Sequence, residues 1–252
     1  MKKFKTISMG LVLTMGLMTG LGATQVFADD EKVYKIACDQ AYAPFSIQQD
    51  DGSYKGIDVE LLAAIEGFEY ELTPMDFSGI IPALVSGTID GSIAGMNITD
   101  ERKESVDFSD GYYESGSALV VNKDDDSISD FDDLKGKVAA CKEGTTGQLW
   151  CEDHADEYGF ETTVYPDSVS MMMAVANKQA DFLIEDYPVI SYQIKIGEQE
   201  DLKVAIDAIE EAPQNGFAVK KGENADLLKM FNEGLQKIRD NGKYDEIIAE
   251  YE

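Results

Sequence analysis

MDFSGIIPALVSGTIDGSIAGMNITDERKESVDFSDGYYESG, residues 75–116, holds several kinds of order in a short space. Phe77 and Ser78 precede an apolar run at 79–84 that reads as a short buried helix. Ser86-Gly87 supplies its stop, because glycine most easily takes the left-handed conformation at a helix end. Residues 89–94 alternate toward a strand, which Gly95 closes. Next comes Asn97-Ile98-Thr99-Asp100-Glu101-Arg102, with Thr99 as a helix N-cap and two acids where the helix dipole favours negative charge. Arg102 then falls in the first turn of a helix, near a strand end where glycine leaves the backbone open. A guanidinium fork beside free backbone N–H groups suits a carboxylate.

Working outward, residues 33–37 alternate as a strand, and Asp39 sits just beyond its end. Tyr42, Pro44 and Phe45 fall in a loop, and Asp50-Asp51-Gly52 marks a turn. Ile57, Leu61, Leu62 and Ile65 recur at helical spacing over 56–65, Gly67 ends that helix, and 68–72 is the next strand. Alternating strands and helices argue for α/β layering with a parallel sheet. In such sheets ligands lie beyond the carboxyl ends of the strands, and Asp39, Phe77 and Gly95 all fall there. Residues 117–121 lead out of this unit as a strand. A second alternation starts at 130, with strands at 137–141, 162–165 and 182–184 and helices at 148–158, 168–177 and 187–196. It ends near Pro213-Gln214-Asn215-Gly216. A strand at 217–219, a helix striped by Leu227, Leu228, Met230, Phe231, Leu235 and Ile238, and a last helix at 244–251 complete the chain.

The first 28 residues read as a secretory signal: Lys2, Lys3 and Lys5 precede an apolar stretch at 7–23, and Val26-Phe27-Ala28 offers the cleavage positions. The alternative is an uncleaved anchor. No cysteine stands at the cleavage site to carry a lipid. The formal charge is −28, and loss of the signal makes it three units more negative. So acidic a chain repels nucleic acid and anionic lipid, so neither is expected as a partner. Asp124-Asp125-Asp126 lacks the alternating ligands of a calcium loop and reads as solvated. Cys38, Cys141 and Cys151 are an odd set for an exported chain; Cys141 and Cys151 could pair, or all three could be buried thiols. With a single histidine, His154, and no Cys-x-x-Cys, no metal site is expected.

The runs DFSGIIPAL, GMNITDER and VDFSDGYYESG resemble the polar amino-acid solute-binding proteins of ABC importers (extracellular solute-binding family 3), above all their glutamine-binding members. The resemblance implies an α/β, two-lobed type II periplasmic binding protein fold. Lobe 1 would run over 29–114, lobe 2 over 115–212, and residues 213–252 would return to lobe 1, with two crossing strands near Ser117 and Gly216 as the hinge. It implies a free L-amino acid as ligand, a membrane permease as partner, a monomer, no cofactor and an exported location.

Matched to the family's pattern, Arg102 takes the ligand carboxylate, with backbone N–H groups of Gly95 and Asn97 and, from the other lobe, Thr146. Family members generally carry threonine or serine at the place of Asn97, so a hydroxyl contact is lost there. Asp186 receives the α-ammonium, and is also a good N-cap for the helix from Tyr187. Tyr42 and Phe77 sandwich the side chain. Asp39 and Lys142 match positions that read a side-chain amide, and Glu185 stands where those members carry histidine. A carboxylate there rejects acidic ligands and accepts an amide or a cation. Glutamine is the first expectation, a basic or other polar amino acid the second. An exported dehydratase-like enzyme with Glu185 as base is a further alternative, though no nucleophile–base pair is visible. A sensor domain is another, although a sensor would continue into a transmembrane segment and signalling module.

Overall fold

The computed structural model describes residues 32–207, 209 and 212–252; the signal expected at 1–28 lies outside them. In chain order come β1 (Val33–Asp39), the hairpin β2 (Ile47–Gln48) and β3 (Tyr54–Lys55), α1 (Ile57–Ala64), β4 (Glu69–Met75), α2 (Phe77–Ser86), β5 (Gly91–Ser92), β6 (Val106–Phe108) and β7 (Tyr113–Glu114). Then follow β8 (Ser117–Asn122), β9 (Val138–Lys142), α3 (Thr146–Tyr158), β10 (Glu161–Tyr165), α4 (Ser168–Ala176), β11 (Phe182–Asp186), α5 (Tyr187–Lys195) and β12 (Leu202–Ile206). The tail holds β13 (Gln214–Asn215), β14 (Ala218–Lys220), α6 (Ala225–Asp240) and α7 (Lys243–Tyr251).

Two five-stranded sheets result, ordered β4-β1-β5-β14-β6 and β10-β9-β11-β8-β12. Strand–helix alternation predicts parallel sheets, yet both are mixed. β4, β1 and β5 run parallel, but β14 lies antiparallel to β5 and β6. In the second sheet β10, β9 and β11 are parallel, and β8 alone runs against them, antiparallel to both β11 and β12. The reason is the crossing: β7 pairs with β13 in an antiparallel ribbon, so the chain leaves one sheet and re-enters it in the opposite sense. The carboxyl ends of β1 and β4 lie in register, Asp39 beside Met75, and those of β9 and β10 place Lys142 beside Tyr165.

Local chemistry accounts for the elements. α2 ends at Gly87 in the left-handed conformation, φ 73°. Gly56, at φ 123°, passes so close to the Pro44 and Phe45 carbonyls that a Cβ would meet them at 2.6 and 2.4 Å. That approach lets Ile57 and Asp58 donate their N–H groups to those same carbonyls at 2.9 and 3.0 Å. α6 turns Leu227, Phe231, Leu235 and Ile238 inward against α1 and α7, each buried side chain contributing about 2 kcal/mol. The helix expected after Thr99 is a single 3₁₀ turn, Arg102–Glu104, because Val106 already pairs with Lys220 in β6. Thr99 Oγ1 still accepts from the Arg102 N–H at 3.2 Å.

α4 starts on Asp167, whose Oδ1 accepts the Ser170 N–H at 2.8 Å. Asp167→Ala should lower stability by about 1 kcal/mol, read as a lower urea midpoint at unchanged slope. No change in midpoint would remove the cap from the account.

Candidate functional site

Nine of the ten sequence-predicted residues line one cavity between the sheets, and Asp39, the tenth, is bonded to one of them, Lys142. From the first sheet, Tyr42 stacks on Phe45 at 5.5 Å in the turn after β1. Phe77 opens α2 after β4. Gly95, φ +56°, lies under the Tyr42 ring, where a Cβ would stand 2.7 Å from Cε1. Only glycine permits that approach. Its N–H, expected to be open for a ligand, instead donates to Asp58 Oδ2 at 2.7 Å and faces Tyr112 Oη at 3.1 Å. A buried carboxyl in the first turn of α1 takes the donor at the shorter distance, with the Tyr112 hydroxyl as a second acceptor.

Arg102 is only 8 % exposed. Nη1 donates to the Asn97 carbonyl at 2.8 Å, and Nη2 reaches across to the Gly144 carbonyl at 3.0 Å. Burial lowers its pKa and the Asp186 charge works against that loss, so the group stays charged at neutral pH. The Asn97 side chain donates to Asn215 Oδ1 at 2.8 Å, in the crossing strand β13. Its Oδ1 accepts from Thr146 Oγ1 at 2.9 Å. The asparagine that departs from the family pattern therefore ties the hinge to the opposite sheet.

Thr146 begins α3, and Thr145 caps it by accepting the Gln148 N–H at 3.2 Å. The first N–H groups of a helix have no internal partner, so this end suits an anion. Gly147 allows it close to β11: a Cβ there would lie 3.0 Å from the Ile184 carbonyl.

Asp186 ends β11, and Tyr42 Oη donates to its Oδ2 at 2.8 Å. It makes no cap bond to α5, contrary to the sequence reading. Pro188, second in that helix, has no N–H to offer. Glu185 Oε1 accepts the Asp186 N–H at 2.9 Å and lies 3.3 Å from Tyr42 Oη. Burial, then the Asp186 charge, push Glu185 up to about 7; burial also raises Asp186. Lys142 Nζ meets Asp39 Oδ2 at 2.5 Å, both side chains almost wholly buried. The same ammonium stands 4.4 Å from the Tyr42 ring centre and 5.3 Å from that of Phe77. Lys142 thus occupies the aromatic slot assigned to the ligand side chain.

Residues 34–252 match the model of the bacterial extracellular solute-binding proteins, family 3. The chain belongs to this family. Among relatives of this solute-binding protein is the arginine-binding extracellular protein ArtP of Bacillus subtilis (strain 168), 30 % identical over 98 % of this chain and 96 % of that one. An ancestral arginine-binding protein bound to arginine is 34 % identical and superposes with a TM-score of 0.81, over 87 % of this chain and 97 % of the other. Substrate-binding domain 2 of Lactococcus lactis GlnP in an open conformation is 39 % identical, over 88 % and 96 %, with a TM-score of 0.60. These likenesses establish the two-lobed periplasmic binding protein fold.

The lower score against the more identical open domain agrees with the bonds across the cleft of this solute-binding protein: here the jaws are shut. The cavity between them measures about 20 Å³, room for one water. An amino acid enters only when the jaws part. Among the described residues, no helix is long and apolar enough to cross a membrane, and no cluster of His, Cys, Asp or Glu could hold a metal. Cys38, Cys141 and Cys151 are free and buried, so the pairing open at the sequence level is not formed. Burial pushes Cys38 up to about 12, which leaves an unreactive thiol. Asp58 and Asn215 are the supporting residues the sequence reading missed. Asp58 had a signal: it shares the apolar face of α1 with Leu61 and Leu62, three and four positions on.

Proposed function

We propose that the protein captures a free polar L-amino acid between its lobes, glutamine in first place, and delivers it to the permease of an ABC importer. Arg102 with the start of α3 takes the carboxylate, and Asp186 takes the ammonium. The carboxylate replaces the Gly144 carbonyl on Arg102, and the ammonium replaces the Tyr42 hydroxyl on Asp186. Both exchanges trade a neutral partner for a charged one, and ligand held at once by Arg102 of one lobe and Asp186 of the other gains both contacts only when the lobes close around it, which is the condition for a population shift. Hinge closure of periplasmic binding proteins is a known case of such a transition.

The observation that carries glutamine is the buried Lys142–Asp39 pair. It presents one donor and one acceptor side by side and carries no net charge, which matches the oxygen and nitrogen of a primary amide. An arginine side chain would meet the Lys142 ammonium in the same slot. A cationic ligand is the second reading. Three carboxyls, Asp39, Glu185 and Asp186, surround the site, and relatives are named for arginine. Turnover finds no support: no nucleophile–base pair stands in the cavity. The relatives' names, extracellular and solute-binding, support an exported location.

A thermal-shift series over the free amino acids tests this. Glutamine at about a hundredfold excess over its Kd should stabilise the protein by roughly 2.7 kcal/mol. A shift with arginine and none with glutamine would replace the first reading by the second. No shift with any amino acid would overturn both.

A further inference from the structure

Two buried thiols bracket the part of the second lobe that reaches across the cleft. Cys141 is the last residue but one of β9, and Cys151 lies in the second turn of α3. Both project into the layer between that sheet and α3. Ala139 and Cys141 share this layer, whereas Ala140 between them belongs to the core on the other face of the sheet. The buried residues of α3 are Gly147, Trp150 and Cys151. Gly147 meets Ile184 of β11, the strand beside β9, and Cys151 stands one turn further along the same stripe. The two thiols are in hydrogen-bond contact, which brings their sulfurs within reach of a bond. Cys38 belongs to the first sheet, beside Pro74 of β4, and has no such neighbour among the described cysteines.

What lies between the pair gives the contact its meaning. Lys142 meets Asp39, Gly144 accepts from Arg102, and Thr146 donates to Asn97. Each of these contacts joins residues 142–146 to the first lobe. A bond from 141 to 151 would close a ring around that whole segment and pin it to the sheet at both ends.

We propose that oxidation joins Cys141 and Cys151 in a disulfide that braces this jaw of the cleft. The oxidant is a second disulfide, the class met outside the cytoplasm, where the proposed export places the unfolded chain. The Cys141 thiolate attacks one sulfur of the donor and expels the other as a thiol. The Cys151 thiolate then attacks the Cys141 sulfur of the mixed disulfide and expels the second thiol. The cysteine pair loses two electrons and two protons, and the donor gains both. The exchange belongs to the unfolded chain, since the folded pair is buried and the Cys141 contact, then burial, push the Cys151 thiol up. The closed ring restricts the unfolded state and holds the jaw ready for ligand, so it raises both stability and affinity. The bond itself does not depend on the amino-acid reading; its effect on affinity does.

The test starts from protein exported by its host or refolded in a mixture of oxidised and reduced glutathione. Alkylation in denaturant without reductant should label one cysteine, Cys38, and peptide mass spectrometry should find 141 linked to 151. Three labelled cysteines from both sources, or a link that uses Cys38, overturns the inference. The oxidised form should melt about 5 °C or more above the reduced form. Cys141→Ser combined with Cys151→Ser should melt at one temperature with or without reductant. The two forms of the wild type decide even if that variant does not fold, and equal melting temperatures overturn the bracing. Calorimetry with glutamine and with arginine should show the oxidised form binding its better ligand about threefold or more tightly. Equal affinities overturn the bracing of the jaw. Binding of neither amino acid by either form overturns the amino-acid reading and leaves the cross-link to the labelling result.

Discussion

Arg102→Ala should abolish micromolar capture, weakening binding by roughly 3–5 kcal/mol, or a hundredfold to several thousandfold. The size follows from burial. The guanidinium is almost wholly enclosed and bridges the lobes through the Asn97 and Gly144 carbonyls. Removing it leaves a ligand carboxylate in the cleft with only the α3 N-terminus to meet it, and a helix end alone supplies about 1 kcal/mol. Lys142 cannot substitute, since its ammonium is held by Asp39. Arg102→Lys should recover only part of the loss, because an ammonium cannot make the planar two-point contact. Calorimetry with the amino acid giving the largest thermal shift is the measurement. The ligand-free melting temperature of each variant separates binding from folding. An affinity within fivefold of wild type in Arg102→Ala would place the carboxylate elsewhere.

What was legible in the sequence was whatever repeats over several turns or strands. Of the α6 stripe, Leu227, Phe231, Leu235 and Ile238 are buried, while Leu228 and Met230 are only half-buried at its edge. Ser86-Gly87 marked the end of α2 to the residue. The crossing ribbon was not legible as strands, because β7 and β13 have two residues each and no pattern fits in so short a length. Strand direction was misread for a related reason. Alternation says which face is buried, while direction depends on where the chain comes from, here from β13. At the site, side-chain types were readable but partners were not. Asn97 meets Asn215 and Lys142 meets Asp39 across more than a hundred residues of chain. Gly95 was read as a donor to a ligand; its actual partner, Asp58, is set by packing that no local pattern records.

That buried acid gives the second large effect, on stability. Asp58 accepts from the Tyr112 hydroxyl at 2.6 Å and from the Gly95 N–H at 2.7 Å, and has no cation beside it. Burial pushes its pKa from 3.8 up to about 7, against the two hydrogen bonds. A folded value above the unfolded one means that the native state binds the extra proton between these limits. Its contribution to stability is present below about pH 4 and lost as pH rises through about 7, a change of at most about 4 kcal/mol. Glu185, raised likewise, works in the same direction. So does mutual repulsion in a chain of formal charge −28. Urea unfolding should therefore show the protein more stable at pH 5.5 than at pH 8.0. Asp58→Asn separates the contributions: its amide can accept from Gly95 and donate to the Tyr112 oxygen without a charge to bury. That variant should match or exceed wild type at pH 8.0 and show a smaller difference between the two pH values. Asp58→Ala strands both partners and should lose about 2 kcal/mol even at pH 5.5. Equal pH dependence in wild type and Asp58→Asn would assign the effect to the surface acids instead. Because Gly95 lies against the Tyr42 ring, Asp58→Ala should also loosen that wall of the cleft and weaken capture, with Arg102 untouched.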